Sequence, residues 1–207
     1  MHAMIEDSIV PVVPVQTTGE ETETSASVTA ENEKMARQWF KLACERLQNV
    51  NRWDQYCGFL SSTFELTDEN ECVLAGTAVT GQYIRIDIPG PGTMAGNGYD
   101  WVKIEKIEHI ESGDHEEVFV LQARPAARPS HPELGIAHFL DNRATSSFVI
   151  KRADTELTAT VFGRNEVPNS NSRAAVDKIR NTIVGSSGAI GVSKLQWKAL
   201  VRGLLDF

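Results

Sequence analysis

The sequence predicts an α+β fold: a curved, mainly antiparallel sheet of about six strands, packed by an N-terminal helix and two C-terminal helices. Three observations predict it. Strand-like and helix-like segments are segregated along the chain rather than alternating. Tyr83–Ile88 alternates strictly, with Ile84, Ile86 and Ile88 on one face and Tyr83, Arg85 and Asp87 on the other. The last segment places Trp197, Leu200, Val201, Leu204 and Leu205 at helical spacings of three and four.

The elements follow in order. Met35, Trp39, Leu42, Ala43, Leu47 and Val50 make one apolar stripe, so a helix is expected over Glu31–Val50. Trp53, Tyr56, Cys57 and Leu60 continue the spacing after a break at Asn49–Asn51, which suggests a second short helix. Six strands are then expected over Cys72–Thr80, Tyr83–Ile88, Trp101–Ile110, Glu117–Arg124, Thr145–Arg152 and Glu156–Phe162. Val102 and Ile104 are out of phase with Ile107, which calls for a bulge between them. Pro89–Gly98, with two prolines and four glycines, is a loop. A helix is expected over Arg173–Val184, ended by Gly185 or Gly188. Ser193-Lys-Leu-Gln196 reads as a capping box that opens the final helix.

Charge separates a leader from the body. The 207 residues carry a net charge of −8, yet residues 1–33 hold seven acids and no Lys or Arg. Without those seven, 21 acids face 20 bases, so the body is nearly neutral and nucleic acid is not an expected partner. Within the leader, Ile5–Val15 is β-branched and broken by Pro11 and Pro14, while Gln16–Ala30 is rich in Thr, Ser and Glu. The second part cannot repay the entropy of ordering. Residues 1–30 are therefore expected to be an acidic, disordered tail that carries a short apolar peptide, with one α+β domain over 31–207. The peptide side chains Ile5, Ile9, Val10, Val12, Val13 and Val15 could add a strand to a sheet edge of this or another protein. A tether of ~15 residues would reach roughly 20 Å.

Three cysteines, Cys44, Cys57 and Cys72, show no Cys-x-x-Cys pair. That excludes a disulfide framework and a structural zinc site by spacing, and it fits a reducing, cytoplasmic setting. The N-terminus lacks the basic region of a secretory signal, and no apolar run is long enough for a membrane span.

Motifs of chemistry are sparse. The glycine loop has neither the spacing nor the following helix of a phosphate cradle. His131 and His138 flank Glu133 without a metal-binding pattern, and turn histidines are the plainer reading. No Gly-x-Ser-x-Gly elbow is present. No catalytic residue, metal ligand or cofactor is therefore assigned. The candidates for ligand contact are Arg85, Trp101, Arg124, Arg143, Arg152, Arg164, Asn165 and Glu166. Arginine forks suit carboxylates and phosphates, and Gly163-Arg-Asn-Glu166 follows an apolar strand, where folds display side chains. Each has a plainer role beside it: surface ion pairing for the arginines, a core position for Trp101, and loop tying for Asn165 and Glu166.

Two functions follow. The first is a non-enzymatic interaction or scaffold module that engages another protein through the leader peptide. The second is a domain that binds a small apolar ligand, with or without enzymatic activity. The order of elements resembles the helix-grip (START-like) folds, which also place two helices early and a long helix last. That resemblance implies a cavity between sheet and last helix, with Arg85, Arg124, Arg152 and Arg164 available to a polar head group. The chain departs from it by ending in two expected helices.

Overall fold

A computed structural model of the chain describes residues 12–57, 62–88, 93–169 and 188–207, with side chains from 194 onward in the last stretch. The expected helix over 173–184 and the leader residues Ile5, Ile9 and Val10 lie outside the described residues, as do Leu60 and residues 89–92 of the glycine loop.

Seven strands form one sheet: β1 (Glu20–Thr29), β2 (Thr63–Thr67), β3 (Tyr83–Asp87), β4 (Asp100–Ser112), β5 (Glu116–Pro125), β6 (Thr145–Ala153) and β7 (Glu156–Glu166). Their order is β1-β7-β6-β5-β4-β3-β2, and every neighbouring pair is antiparallel. Between β1 and β2 come α1 (Glu33–Gln48), a 3-10 turn and α2 (Trp53–Cys57); after β7 comes α3 (Gly188–Leu204). The fold class is the expected one, with seven strands instead of six.

Two corrections make up the difference. Glu20–Thr29 is not a tether: it pairs along its length with β7. Thr22, Thr24, Ala26 and Val28 alternate with more exposed neighbours, and an edge strand needs only one bonded flank and one half-covered face. Conversely, Cys72–Thr80 is not a strand. It makes a single bridge, Thr67 to Val73, and Asn51 takes Leu66 N–H and donates to Leu74 O across the gap. Thr63–Thr67 is the strand instead, and Cys72 is exposed.

Local contacts fix the ends of the elements. Asn32 caps α1 by accepting from Met35 N–H at 3.0 Å. The β4 bulge falls between Ile104 and Lys106, and it brings Ile107 back to the core side. Asp154, at φ 53°, makes the tight turn between β6 and β7. The capping box does not open the last helix, which already runs from Gly188, and Gln196 instead accepts from Ser62 Oγ at 2.9 Å.

The main core lies between the inner sheet face and the helices. Phe119, Leu121, Phe148, Ile150, Leu157 and Val161 meet Phe40, Leu47, Trp53, Leu200 and Leu204 there. The C-terminus of α3 is held by Arg46, whose guanidinium donates to Gly203, Leu204 and Asp206 carbonyls, a cation at a helix C-terminus. Gly203 lets α3 approach α2: a Cβ there would sit 2.7 Å from Tyr56 Cβ. A second, smaller cluster lies on the outer face, where Val118, Val120, Val149 and Phe162 are covered by Val12 and Val13. The described part of the leader is thus packed on its own sheet.

Candidate functional site

A cavity lies between the inner face and α3. Its wall is Trp53 from α2, Phe64, Ile84, Ile86, Val102, Ala123, Pro125, Ser146 and Phe148 from the sheet, His138, Leu140 and Ala144 from the β5–β6 connection, and Trp197 from α3. It holds about 430 Å³ of atom-free space, part of it open to solvent. Aromatic rings form the helix-side wall. Trp53 lies 4.8 Å from Phe148 and 5.3 Å from Phe64, and Trp197 meets Phe148 edge-on at 5.1 Å. The indole of Trp53 is satisfied by donating to Leu47 O at 2.9 Å, so its ring presents only apolar surface.

The polar part of the wall comes from the long β5–β6 connection, which hydrogen bonds zip into place. Ala137 N–H donates to Ala126 O and Trp101 N–H to Ala137 O; Asn169 N–H donates to Phe139 O, and its side-chain amide donates to Ile136 O and His138 O. Asp100, at the start of β4, accepts from Phe139 N–H at 3.1 Å. His138 is thereby held inside the wall. Its Nδ1 accepts from Leu140 N–H at 3.0 Å, and its Nε2 lies 3.9 Å from Asp100 Oδ2. Both side chains are buried. Burial pushes the Asp100 carboxyl up to about 7, against the Phe139 N–H bond that favours the charged form. Burial likewise pushes His138 down to about 3. A neutral acid beside a neutral imidazole is the form this environment favours.

None of the eight side chains singled out for ligand contact lines the cavity. Arg85 lies on the outer side of β3, paired with Glu65 at 2.5 Å and set over the Tyr99 ring. Trp101 is buried, with its indole donating to Gly96 O at 3.3 Å. Arg124 pairs with Glu105 at 2.6 Å, and Arg143 with its neighbour Asp141. Arg152 is fully buried at the far end of the inner face, beside Glu117. Arg164 reaches Glu21 and Thr22 O, and stacks over Phe162. Asn165, in the left-handed region at φ 56°, grips the leader: its Oδ1 accepts from Thr17 N–H and Thr18 N–H, and its amide donates to Val15 O. Glu166 is buried beside β1, where desolvation raises its carboxyl. Most of their polar groups meet a neighbour within the fold; Arg152 does so fully buried rather than at the surface, and Glu166 Oε2 is buried without a hydrogen bond among the described residues.

The leader residues divide similarly. Val12 and Val13 are packed against the outer face, while the Val15 side chain is exposed. Sequence reasoning missed His138 as a wall residue. Its signal was present: a lone histidine between Ala137 and Phe139-Leu140, apolar neighbours in an otherwise polar connection.

Among the described residues, one cluster could offer three atoms to a metal. Glu33, His115 and Asp154 bring theirs within 4.8 Å of one another at the surface. His115 Nδ1 lies 3.0 Å from Asp154 and 3.5 Å from Glu33, so the cluster is accounted for by contacts among its own members. No described helix is long and apolar enough to cross a membrane.

No protein-family model and no curated protein matches the chain. Solved structures do. The chain is similar to Ara h 8.0201 at 13% identity and TM-score 0.36, over 91% of this chain and 100% of that one. It is similar to norcoclaurine synthase from Thalictrum flavum at 9% identity and TM-score 0.40, over 91% and 87%. It is also similar to protein Ms6760 from Mycobacterium smegmatis at 16% identity and TM-score 0.40, over 90% and 91%. At these values the similarities assign neither a family nor a ligand.

Proposed function

We propose that this protein binds a small, largely apolar molecule in the cavity between the inner sheet face and α3. The observation that carries the reading is the wall itself: aromatic and aliphatic side chains on both sides, with Ser146 and His138 as its polar members. Binding sites for small molecules have this composition, apolar surface for affinity and a few polar groups for orientation. The enclosed part is small, so a ligand of one aromatic ring seats partly in the open mouth. A protein partner for the leader peptide has less support, because Val12 and Val13 already cover apolar surface of this chain.

The test is titration of the full chain with α-methylstyrene, followed through fluorescence of the wall tryptophans, Trp53 and Trp197. Saturable quenching is expected. Ala144 is buried in the wall, and Ala144→Phe fills the space, so that variant should keep its unfolding midpoint within a few degrees and lose the quenching. Equal quenching in the filled variant would place binding elsewhere and overturn the reading.

A further inference from the structure

We propose that His138 is the recognition point of the cavity, donating its Nε2–H to the carbonyl oxygen of an otherwise apolar ligand. The proposal rests on the cavity reading above and deepens it. The geometry comes first. Leu140 N–H donates to Nδ1 at 3.0 Å, which requires a lone pair there and therefore places the ring proton on Nε2. The carboxylate oxygen facing Nε2, Asp100 Oδ2, is 3.9 Å away, beyond hydrogen-bond length. The result is an N–H donor on a 7%-exposed side chain in the cavity wall, without a bonded partner among the described residues. A ligand oxygen at that point would give the donor a hydrogen bond shielded from bulk water by the wall.

The same geometry selects the ligand chemistry. Nε2–H only donates, so the ligand must accept at that point; an ammonium has nothing to offer it. No Lys or Arg stands among the described wall residues to neutralise an anion, and the carboxyl group of Asp100 lies 3.9 Å from Nε2. A neutral acceptor is left, and a carbonyl presents its lone pairs at the end of an apolar frame. His138 is also excluded as a general base in this arrangement. Its one lone pair is already used by Leu140 N–H, and burial keeps the ring neutral. The residue recognises; it does not take a proton.

The experiment uses acetophenone and α-methylstyrene, which share a shape and differ by C=O against C=CH2. Both are titrated into the full chain and into His138→Phe, and the ratio of their dissociation constants is compared. One hydrogen bond of ordinary net strength predicts that the preference for acetophenone is about three- to tenfold greater in the parent chain than in the variant. A second readout needs no variant: the infrared band of 13C=O-labelled acetophenone bound to the parent chain should lie below its position in hexane. If α-methylstyrene binds but the ratio is unchanged by the substitution, or the bound carbonyl absorbs where it does in hexane, the His138 proposal falls and the cavity reading stands. If neither compound binds, both fall. Should His138→Phe fail to fold, the carbonyl band decides.

Discussion

Two buried polar centres occupy the two ends of this fold, and they are built in opposite ways. At one end Arg152 is fully buried, and all five of its N–H groups are used: two on Glu117 Oε1 at 2.6 and 2.8 Å, and three on the carbonyls of Asp114, His115 and Asp154. Glu117 takes a further bond from Arg37 of α1 at 3.3 Å. At the other end Asp100 and His138 are also buried, but they face each other across 3.9 Å without a bond, beside a cavity. Saturation marks a centre whose work is holding strands and helix together. A spare donor in a cavity wall is the feature on which the proposed ligand contact rests. Burial alone separates nothing here; the accounting of donors and acceptors does.

The largest expected effect comes from breaking the saturated end. Arg152→Met removes the guanidinium and leaves Glu117, 14% exposed, without its closest cation; it also takes a donor from three carbonyls, of which Asp114 O keeps Arg37 and His115 O keeps Asp154 N–H. Removing one member of a buried ion pair costs about 3–5 kcal/mol, read as a lower urea midpoint at unchanged slope. Adding Glu117→Gln to Arg152→Met should recover part of the loss, because the stranded charge is then gone. A cost below ~1 kcal/mol for the single variant would mean that the two ends do not differ in kind.

At the other end the sign reverses, and pH exposes it. Asp100 has its carboxyl raised from 3.8 to about 7 in the fold, so between those values the folded chain keeps a proton that the unfolded chain releases. Stability therefore falls as pH rises through that window. His138, lowered from 6.5 to about 3, runs the other way: the unfolded chain binds the proton, and stability rises with pH between those values. In the parent chain the two slopes largely cancel between about pH 4 and 6.5. Asp100→Asn keeps an oxygen for Phe139 N–H and removes one slope. The variant should be more stable than the parent at pH 8, by at most about 4 kcal/mol for a three-unit shift, with the advantage shrinking toward zero near pH 4. Urea titrations at pH 4.5, 6 and 8 measure this. A variant less stable at pH 8 than its parent would show that the carboxylate is paired after all.

The two ends were also unequally legible. The strands that build both could be read from alternation, as in Ile84, Ile86 and Ile88, and the β4 bulge from the phase change before Ile107. The edge strand β1 was hidden because hydrophobicity was sought where Thr22, Thr24, Ala26 and Val28 alternate instead; half-covered edges select β-propensity more than apolarity. Arg152 stood out in the sequence as a candidate for ligand contact, and its charge is instead met by Glu117 and by main-chain carbonyls, one of them His115 O, 37 residues earlier. His138 and Asp100 meet only because the β5–β6 connection folds back on the start of β4 through Ala126, Ala137 and Phe139. No local pattern announces such a contact, since neither periodicity nor spacing reaches across 38 residues of loop and strand.

The smallest expected effect concerns how the helix covers the cavity. Near its C-terminus α3 is fixed by Arg46 on three carbonyls and by close packing of Gly203 on Tyr56. Near Trp197 a side-chain tie to the body is Ser62 Oγ donating to Gln196 Oε1 at 2.9 Å, with both residues buried. Ser62→Ala removes that donor and should cost about 1 kcal/mol of global stability. If the cavity end is the one that opens, the loss should not be spread evenly. Amide exchange should rise in the turn around Gln196 and Trp197 and stay unchanged around Leu204. An equal rise along the whole of α3 would mean that the helix moves as one body, and would remove the distinction between a fixed end and a gated one.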